Sequence, residues 1–556
     1  MKRLPIGVSD FKELIENEYY YVDKSLFIKE VIDDGSKVIL IPRPRRFGKT
    51  LNMSMLRYFF QKAEADNKHL FKDLNINKHE SIMMKQGKYP VIYLTFKDEK
   101  YSLWQDCKKG IRILLRDEYI KNKYLLESEA LDEVEKKDFR AIMTCEAEDI
   151  MFSKALKNLC KYIYKHHNER VVILIDEYDV PIQSGYLNNY YNDVVEFIRN
   201  ILGAALKDNE YLEKGVLTGI LRIAKESIFS GLNNLNVYSL LKNKYSDMFG
   251  FLETEVIGIL KDFEIEFELE AVKKWYNGYV FGDNIIYNPW SILNFIDNGS
   301  ELLKPYWINT SSNDLVKMLI TKGGEYLKKE LEDLIKGNEI VKQVNEDISM
   351  EDIDKATESV WSFLLFSGYL KPVKKEVISK RLYYNLRIPN LEVEYLYEEI
   401  ILSWFSDNIS NDNFNFMLTA LTKGDIETFE DILSDYVIKS FSYFDVGDES
   451  EKFYHAFVLG ILVALSNEYE VKSNRESGYG RYDIMLIPKD NKRLGIIIEF
   501  KKVNKRRKET LEKSVDNALV QLQEKNYKQE LMDLGIKNIL ELGIAFEGKD
   551  VMCKIR

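Results

Sequence analysis

Residues 37–52 read KVILIPRPRRFGKTLN, and this stretch decides the architecture of the first part of the chain. An apolar run at 38–41 ends at a proline, an arginine-rich segment follows, and Gly48-Lys49-Thr50 precedes a helix-forming run. Strand, loop and helix in this order direct backbone N–H groups and a helix N-terminus toward an anion. The lysine of such a loop reaches the terminal phosphates of a nucleotide, and the threonine hydroxyl ligates Mg²⁺. The stretch therefore predicts a phosphate-binding loop.

Three arginines complicate this prediction. The full loop pattern has a glycine five residues before Gly48, and Arg43 occupies that position. Arg45 and Arg46 are candidate phosphate-binding residues, although they could equally face solvent. The alternative for the whole stretch is a basic loop that precedes a helix and binds no nucleotide.

A second apolar run, 171–175, ends in Asp176 and Glu177. In phosphate-loop ATPases the first acid of such a pair holds Mg²⁺ through its water shell, and the second polarises the attacking water. The alternative is a buried strand whose polar end happens to be acidic. We predict Asp176 as a metal-binding residue, Glu177 as a catalytic residue, and ATP and Mg²⁺ as cofactors.

A third apolar run, 215–218, is followed by Arg222. A polar residue at a strand end can contact the terminal phosphate, and a nearby arginine can neutralise the charge of the transition state. Thr218 and Arg222 are therefore candidate nucleotide-binding residues. The alternative is a turn threonine and a surface arginine.

Length and charge limit the functions that the chain can have. The 556 residues exceed what one hydrophobic core supports, so roughly two to four domains are expected. With 79 basic and 90 acidic residues the net charge is −11, so any polyanion site must be a local patch. The scattered cysteines and histidines do not indicate zinc. No apolar run approaches the roughly 18 residues of a membrane span, and we expect a cytoplasmic protein with no membrane partner.

The C-terminal region carries a second constellation of charged residues. Asp483 lies in one β-like run, and Glu499-Phe500-Lys501 closes the next. Because side chains alternate along a strand, Glu499 and Lys501 share a face, and strand pairing could bring Asp483 beside them. Two carboxylates can hold Mg²⁺, and a lysine can orient a nucleophile or stabilise a phosphorane. The alternative is a solvated strand end.

The residues that follow favour a nucleic-acid partner at this end of the chain. A local basic patch in an acidic protein is what a phosphate backbone requires, although a solvated charge run is an equal alternative. The patch comprises Lys501, Lys502, Lys505, Arg506, Arg507 and Lys508. Gln521, Gln523 and Tyr527 could brace the site, and Glu451 could add a carboxylate.

The chain resembles, over nearly its whole length, a bacterial family of AAA-ATPase-like proteins that end in a PD-(D/E)XK nuclease-like domain. The resemblance is carried by residues 19–33, 43–56, 171–179, 217–235, 275–279, 479–488 and 495–502. Asp483, Glu499 and Lys501 match the D…E-x-K core of that family, while Tyr482 stands where its name has proline. An arginine at position 43 looks normal for the family.

The patterns of apolar residues along the chain and the resemblance together predict an α/β fold with four parts. These are a P-loop NTPase-type parallel-sheet domain at 1–240, a helical lid extension at 241–330, a helical connector at 331–445 and a restriction-endonuclease-like α/β domain at 446–556. The implied function is an ATPase coupled to a Mg²⁺-dependent nuclease that acts on DNA or RNA. The alternative is a nucleotide-switched module that binds nucleic acid or protein through an inactive nuclease fold. Homo-oligomerisation is left open.

Overall fold

The described residues divide into two compact units. Unit 1 comprises Met1–Gly323 and Asp333–Tyr395, and unit 2 comprises Gly324–Glu332 and Leu396–Arg556. The computed structural model describes residues 2–62, 66–220, 234–265, 269–299, 303–307, 314–322, 325–335, 337–348, 350–355, 357–406, 411–440, 458, 462, 465, 468–473, 476–477, 480–481, 483–503 and 509–556.

Helices and strands alternate along most of the described chain. The α-helices are α1 Phe11–Glu16, α2 Leu26–Asp33, α3 Lys49–Phe60, α4 Glu80–Met83, α5 Trp104–Lys121, α6 Glu133–Met143, α7 Asp149–His167, α8 Val180–Leu187, α9 Tyr191–Leu206, α10 Glu253–Asp262, α11 Leu269–Tyr276, α12 Pro289–Asp297, α13 Asp314–Lys322, α14 Glu325–Ile335, α15 Met350–Lys355, α16 Thr357–Phe366, α17 Leu391–Ser406, α18 Asn411–Lys423, α19 Ile426–Ser440, α20 Leu511–Lys525 and α21 Lys528–Asp533. The strands are β1 Val38–Pro42, β2 Val91–Thr95, β3 Val171–Asp176, β4 Leu212–Gly219, β5 Leu235–Val237, β6 Tyr279–Phe281, β7 Asn284–Ile286, β8 Ile340–Gln343, β9 Lys371–Ile378, β10 Arg381–Arg387, β11 Tyr469–Ser473, β12 Glu476–Ser477, β13 Gly480–Arg481, β14 Ile484–Pro488, β15 Gly495–Lys502, β16 Ile539–Glu547 and β17 Asp550–Ile555.

The central element of unit 1 is a parallel sheet with the strand order β2-β3-β4-β1-β5 among the described residues. Strands β1 and β3 are buried along their whole length, as their continuous apolar sequences require. In the register of this sheet, Ile41 pairs with Thr218 and Thr95 pairs with Asp176. The carboxyl ends of the strands therefore meet at one edge, where ligands of such sheets bind. The predicted parallel-sheet α/β fold is confirmed.

The strand–loop–helix order predicted for residues 37–52 is also present. Strand β1 ends at Pro42, and helix α3 begins at Lys49. Gly48 precedes the helix with a φ of +82°, a left-handed conformation that glycine adopts without strain. The chain can thus turn from the strand into the helix within a short loop.

The region between residues 331 and 445, which the sequence predicts as helical, also contains β-structure. Strands β8, β10 and β9 form an antiparallel sheet, in that order, within the described residues. Strand β9 includes Val373, Val377 and Ile378, whose β-branched side chains favour an extended backbone. The sequence analysis did not predict these strands, because the segments that flank them have helical periodicity.

Unit 2 contains a mixed sheet of strand order β11-β14-β15-β16-β17 in its described part. Strands β14 and β15 are antiparallel, whereas β15 and β16 are parallel. One face of this sheet packs Ile498 and Phe500 against helices α18 and α19. The other face packs Ile497 against Leu522 of helix α20. This arrangement confirms the predicted C-terminal α/β domain, and it shows helices on both faces of the sheet.

No helix among the described residues combines the length and the apolarity that are needed to cross a membrane.

Candidate functional site

The Asp176 carboxylate lies at the centre of the sheet edge in unit 1. Thr50 Oγ1 donates to Asp176 Oδ2 at 2.7 Å, and Thr218 Oγ1 donates to Asp176 Oδ1. Burial raises the pKa of Asp176, and the Thr218 and Thr50 hydrogen bonds oppose that shift. The structure therefore brings together three residues that the sequence predicts for a nucleotide site, one each from helix α3, strand β3 and strand β4.

Lys49 is buried beside these groups. Its ammonium donates to the carbonyl oxygens of Arg43 at 3.1 Å and Pro44 at 2.9 Å. Burial lowers the pKa of Lys49, while the negative charges of Glu177 and Asp176 raise it. A buried ammonium held by backbone carbonyls, with carboxylates close by, lies where it can meet an incoming anion.

The residues after strand β3 form a tight acidic turn. Glu177 has a φ of +53°, a left-handed conformation that is uncommon for a residue with a β-carbon. Asp179 is buried, and its Oδ2 accepts from the Ile220 N–H at 2.9 Å and from Gln183 Nε2 at 2.8 Å. Asp179 fixes the ends of strands β3 and β4 relative to each other. Asp179 was not predicted from the sequence as a site residue, although the run of acids in Asp176-Glu177-Tyr178-Asp179 could have indicated it.

Two of the loop arginines approach the cavity in different ways. Arg45 Nη2 donates to Gln183 Oε1 at 3.1 Å, and its carbonyl oxygen accepts from Trp307 Nε1 at 3.1 Å. The Arg46 guanidinium lies 4.2 Å from the centroid of the Trp290 ring. Burial lowers the pKa of Arg46, and the Glu177 charge raises it. Both predicted arginines line the site.

Arg43 has a structural role in the described part of the fold. Its guanidinium is buried and donates to the carbonyls of Pro42 at 2.8 Å, Tyr238 at 2.8 Å and Tyr245 at 3.2 Å. It also lies over the rings of Phe249 and Phe281. Burial lowers its pKa to about 9. The arginine that replaces the loop glycine therefore ties the end of strand β1 to the segment 238–249.

A cavity of about 350 Å³ opens onto these groups, within the size range of small-molecule sites. Its lining includes the polar residues Lys49, Thr50 and Glu177 and the apolar residues Val8 and Phe251. The polar residues suit a polyphosphate, and the apolar residues suit a base or sugar.

The donor chemistry at Asp176 suits Mg²⁺. Thr50 and Asp176 offer hard oxygen atoms, and Mg²⁺ is commonly held by one or two protein oxygens together with water and substrate phosphates. Within the described ranges no three His, Cys, Asp or Glu side chains are grouped as a metal site. A nucleotide-dependent magnesium site does not need such a group.

The second predicted constellation lies on the sheet of unit 2. Ile484 pairs with Ile498 in antiparallel register, which sets Asp483 opposite Glu499. Asp483 Oδ2 accepts from the Phe500 N–H at 2.8 Å, and Lys501 Nζ donates to Glu499 Oε1 at 3.0 Å. The Glu499 side chain is buried. The strand pairing that the sequence suggested thus brings the predicted carboxylates and lysine to one place.

Helix α20 and the residues after it cover this constellation. Gln521 hydrogen-bonds Tyr527, and Asp483, Glu499 and Lys501 act electrostatically on the Tyr527 hydroxyl, whose pKa burial raises. Gln523 is exposed. The Tyr527 hydroxyl and Gln521 thus lie near the predicted carboxylates and lysine, and their role in bracing the site stays a prediction.

Some sequence candidates lie outside the described residues. They are Arg222, Glu451, Lys505, Arg506, Arg507 and Lys508. The two carboxylates at Asp483 and Glu499 provide the oxygen donors that Mg²⁺ prefers, and Lys501 supplies an ammonium beside them. The donor set therefore fits the metal that the sequence predicts for this site.

Comparisons with known proteins match the two regions of the chain that contain these sites. Residues 5–229 match the family described as predicted AAA-ATPase, and residues 449–555 match the PD-(D/E)XK nuclease superfamily. The chain is also 28% identical over 403 residues to an uncharacterized protein in the vnfD 5′ region of Azotobacter chroococcum mcd 1. That alignment covers 72% of this chain and 70% of the other.

Proposed function

We propose that this chain, which carries a predicted AAA-ATPase-like domain and a PD-(D/E)XK nuclease superfamily domain, binds and hydrolyses ATP in unit 1. In the same proposal, unit 2 cleaves phosphodiester bonds of nucleic acid under the control of that nucleotide. The observation that carries the proposal is the Asp176 carboxylate between the hydroxyls of Thr50 and Thr218, next to the buried Lys49 ammonium.

Each residue at the edge of unit 1 has a distinct task. Lys49 binds the terminal phosphates, and Thr218 keeps Asp176 oriented. Glu177 accepts the proton of the water that attacks the terminal phosphorus, as the bond to the leaving diphosphate oxygen breaks. Thr50 and Asp176 would hold Mg²⁺ together with the nucleotide, and the ion would offset the charge of the phosphates.

The tasks in unit 2 follow from its hydrogen bonds. The Phe500 N–H fixes the Asp483 carboxylate, and the Glu499 carboxylate in turn holds the Lys501 ammonium. Lys501 orients the attacking water and stabilises charge on the phosphodiester. Asp483 and Glu499 would hold Mg²⁺, which would supply activation of that water and neutralisation of the phosphate charge.

Calorimetry tests the nucleotide site. ATP binds the wild type, and Lys49→Met lowers the affinity by about 10-fold or more, since a charge-assisted contact to phosphate contributes about 1.5–3 kcal/mol. Lys137→Met, at an exposed position of helix α6, serves as the matched control and leaves binding unchanged. Equal binding by wild type and Lys49→Met would reject the assignment of this loop.

A cleavage assay tests the nuclease site. Labelled DNA and RNA are incubated with Mg²⁺ and ATP, and Glu499→Gln abolishes cleavage. Glu524→Gln, at an exposed position of helix α20, retains it. If the wild type binds the nucleic acids but cuts none of them, the alternative of a switched binding module with an inactive nuclease fold replaces this proposal.

A further inference from the structure

Arg46 lines the cavity in unit 1 and has an unusual backbone conformation. Its φ is +68°, a left-handed conformation that is strained for a residue with a β-carbon. Its guanidinium lies 4.2 Å from the centroid of the Trp290 ring. Cations at this distance are attracted by the negative face of the indole, which is the strongest such face among the aromatic side chains. Trp290 thus fixes where the Arg46 charge lies.

The backbone of Trp290 is itself firmly anchored. The buried Asn288 caps helix α12, and its Oδ1 accepts from the Trp290 N–H at 2.9 Å and the Ser291 N–H at 3.3 Å. The Trp290 carbonyl oxygen accepts from Asn294 Nδ2 at 2.8 Å. An aromatic ring on a capped first turn is a rigid platform for the arginine.

The negative charge of Glu177 acts electrostatically on the Arg46 guanidinium. Glu177 is the residue proposed to accept a proton from the attacking water. Both side chains line the cavity together with Lys49. The guanidinium therefore belongs to the same cavity as Glu177 and Lys49. A planar face of a guanidinium suits stacking on an aromatic ring, and its N–H groups suit phosphate oxygens.

We infer that Trp290 is a positioning residue that holds Arg46 against the terminal phosphate of a nucleoside triphosphate. The inference rests on the proposed nucleotide site and adds a means of telling a triphosphate from a diphosphate. It assigns to Trp290 a role that differs from packing in the neighbouring apolar cluster and from stacking on a base.

The test compares ATP with ADP in calorimetric titrations of five proteins. They are the wild type, Arg46→Ala, Trp290→Leu, Trp290→Phe and the double variant Arg46→Ala/Trp290→Leu. Alanine keeps the β-carbon of Arg46, so the backbone strain at this position is unchanged. Trp290→Phe keeps an aromatic face at this position. If Trp290→Leu does not fold, Trp290→Phe still tests the inference.

The expected results differ for the two nucleotides. Arg46→Ala lowers the affinity for ATP about 10-fold and the affinity for ADP little. Trp290→Leu lowers the affinity for ATP about 3-fold, Trp290→Phe restores most of that loss, and ADP is unaffected by either. Trp290→Leu has no further effect in the Arg46→Ala background, because Trp290 acts through Arg46.

Three outcomes would overturn the inference. Equal losses for ATP and ADP in Trp290→Leu would mean that the ring contacts the base or only supports the fold. Independent, additive losses in the double variant would mean that Trp290 does not act through Arg46. A wild type that binds neither nucleotide would remove the proposed nucleotide site as well, whereas the first two outcomes leave that site intact.

Discussion

Thr50 Oγ1 donates a hydrogen bond of 2.7 Å to Asp176 Oδ2, although the two residues lie 126 positions apart in the chain. The bond joins the first turn of helix α3 to the end of strand β3. It brings the Thr50 hydroxyl of helix α3 and the Asp176 carboxylate of strand β3 together at the sheet edge. The ATPase proposal depends on this convergence.

Asp176→Asn should stabilise the protein while it abolishes ATP hydrolysis. Burial raises the pKa of Asp176, so the folded protein binds its proton more tightly than the unfolded chain does, and the stability contributed by Asp176 falls as the pH rises above its ordinary value of 3.8. Asparagine removes the buried charge, and the hydroxyls of Thr50 and Thr218 can each donate or accept. We expect a higher free energy of unfolding for the variant at pH 7, measured by urea denaturation. A less stable variant at that pH would contradict this account.

Restoring the glycine of the loop pattern should damage the protein. Arg43→Gly removes a buried guanidinium from the carbonyls of Pro42, Tyr238 and Tyr245 and leaves a cavity between Phe249 and Phe281. We expect a loss of about 3 kcal/mol or more in the free energy of unfolding. Arg43→Lys, which keeps the charge without the planar fork, should recover part of it. A glycine variant as stable as the wild type would show that Arg43 does not hold the loop.

The Glu392 carboxylate binds the segment 306–307, which contacts the loop between strand β1 and helix α3. Its Oε1 accepts from the N–H groups of Tyr306 and Trp307, each at 2.6 Å, and its Oε2 accepts from Ser291 Oγ at 2.8 Å. Trp307 Nε1 then donates to the carbonyl oxygen of Arg45. Burial raises the pKa of Glu392 from 4.5 to about 7.

The stability of the protein should therefore depend on the protonation of Glu392. The raised pKa means that the stability it contributes is full below pH 4.5 and is lost as the pH rises toward about 7. Glu392→Gln should raise the free energy of unfolding at pH 8 by on the order of 2 kcal/mol, and this gain should vanish at pH 5. Unfolding measured from pH 5 to 8 checks this, with the exposed Glu129→Gln as a control. A pH-independent difference would refute it.

The Lys501–Glu499 contact should appear as energetic coupling in unit 2. Lys501→Met leaves the buried Glu499 carboxylate without this ammonium, and we expect a loss of about 2 kcal/mol in stability. In Glu499→Gln/Lys501→Met the buried charge is also removed, so the loss should be smaller than in Lys501→Met alone. Chemical denaturation of the four proteins of this cycle measures the coupling, and purely additive losses would argue against the pair.

The sequence predicted those strands and site residues that short local patterns mark, such as an apolar run followed directly by a polar residue. The apolar runs before Lys49, Asp176 and Thr218 predicted strands of a parallel sheet, and the structure pairs these three strands side by side, so their carboxyl ends meet. The alternation in Glu499-Phe500-Lys501 likewise predicted which side chains share a face.

Contacts between distant segments could not be predicted in this way. The bond from Arg43 to Tyr238 spans 195 positions, and the bond from Trp307 to Arg45 spans 262. The periodicity and spacing of residues in a single sequence do not indicate which distant residues are in contact. For the same reason the contacts of Glu392 with Tyr306, Trp307 and Ser291 were not predicted.

The central claim is that a nucleotide at Lys49 controls cleavage at Glu499, and one comparison tests it most directly. The rate of nucleic-acid cleavage in the presence of Mg²⁺ is measured with and without ATP for the wild type, Lys49→Met and Glu499→Gln. The account predicts that ATP changes the rate in the wild type, that Lys49→Met cleaves at one rate regardless of ATP, and that Glu499→Gln does not cleave. Cleavage by the wild type and Lys49→Met that responds to ATP in the same way would contradict the claim.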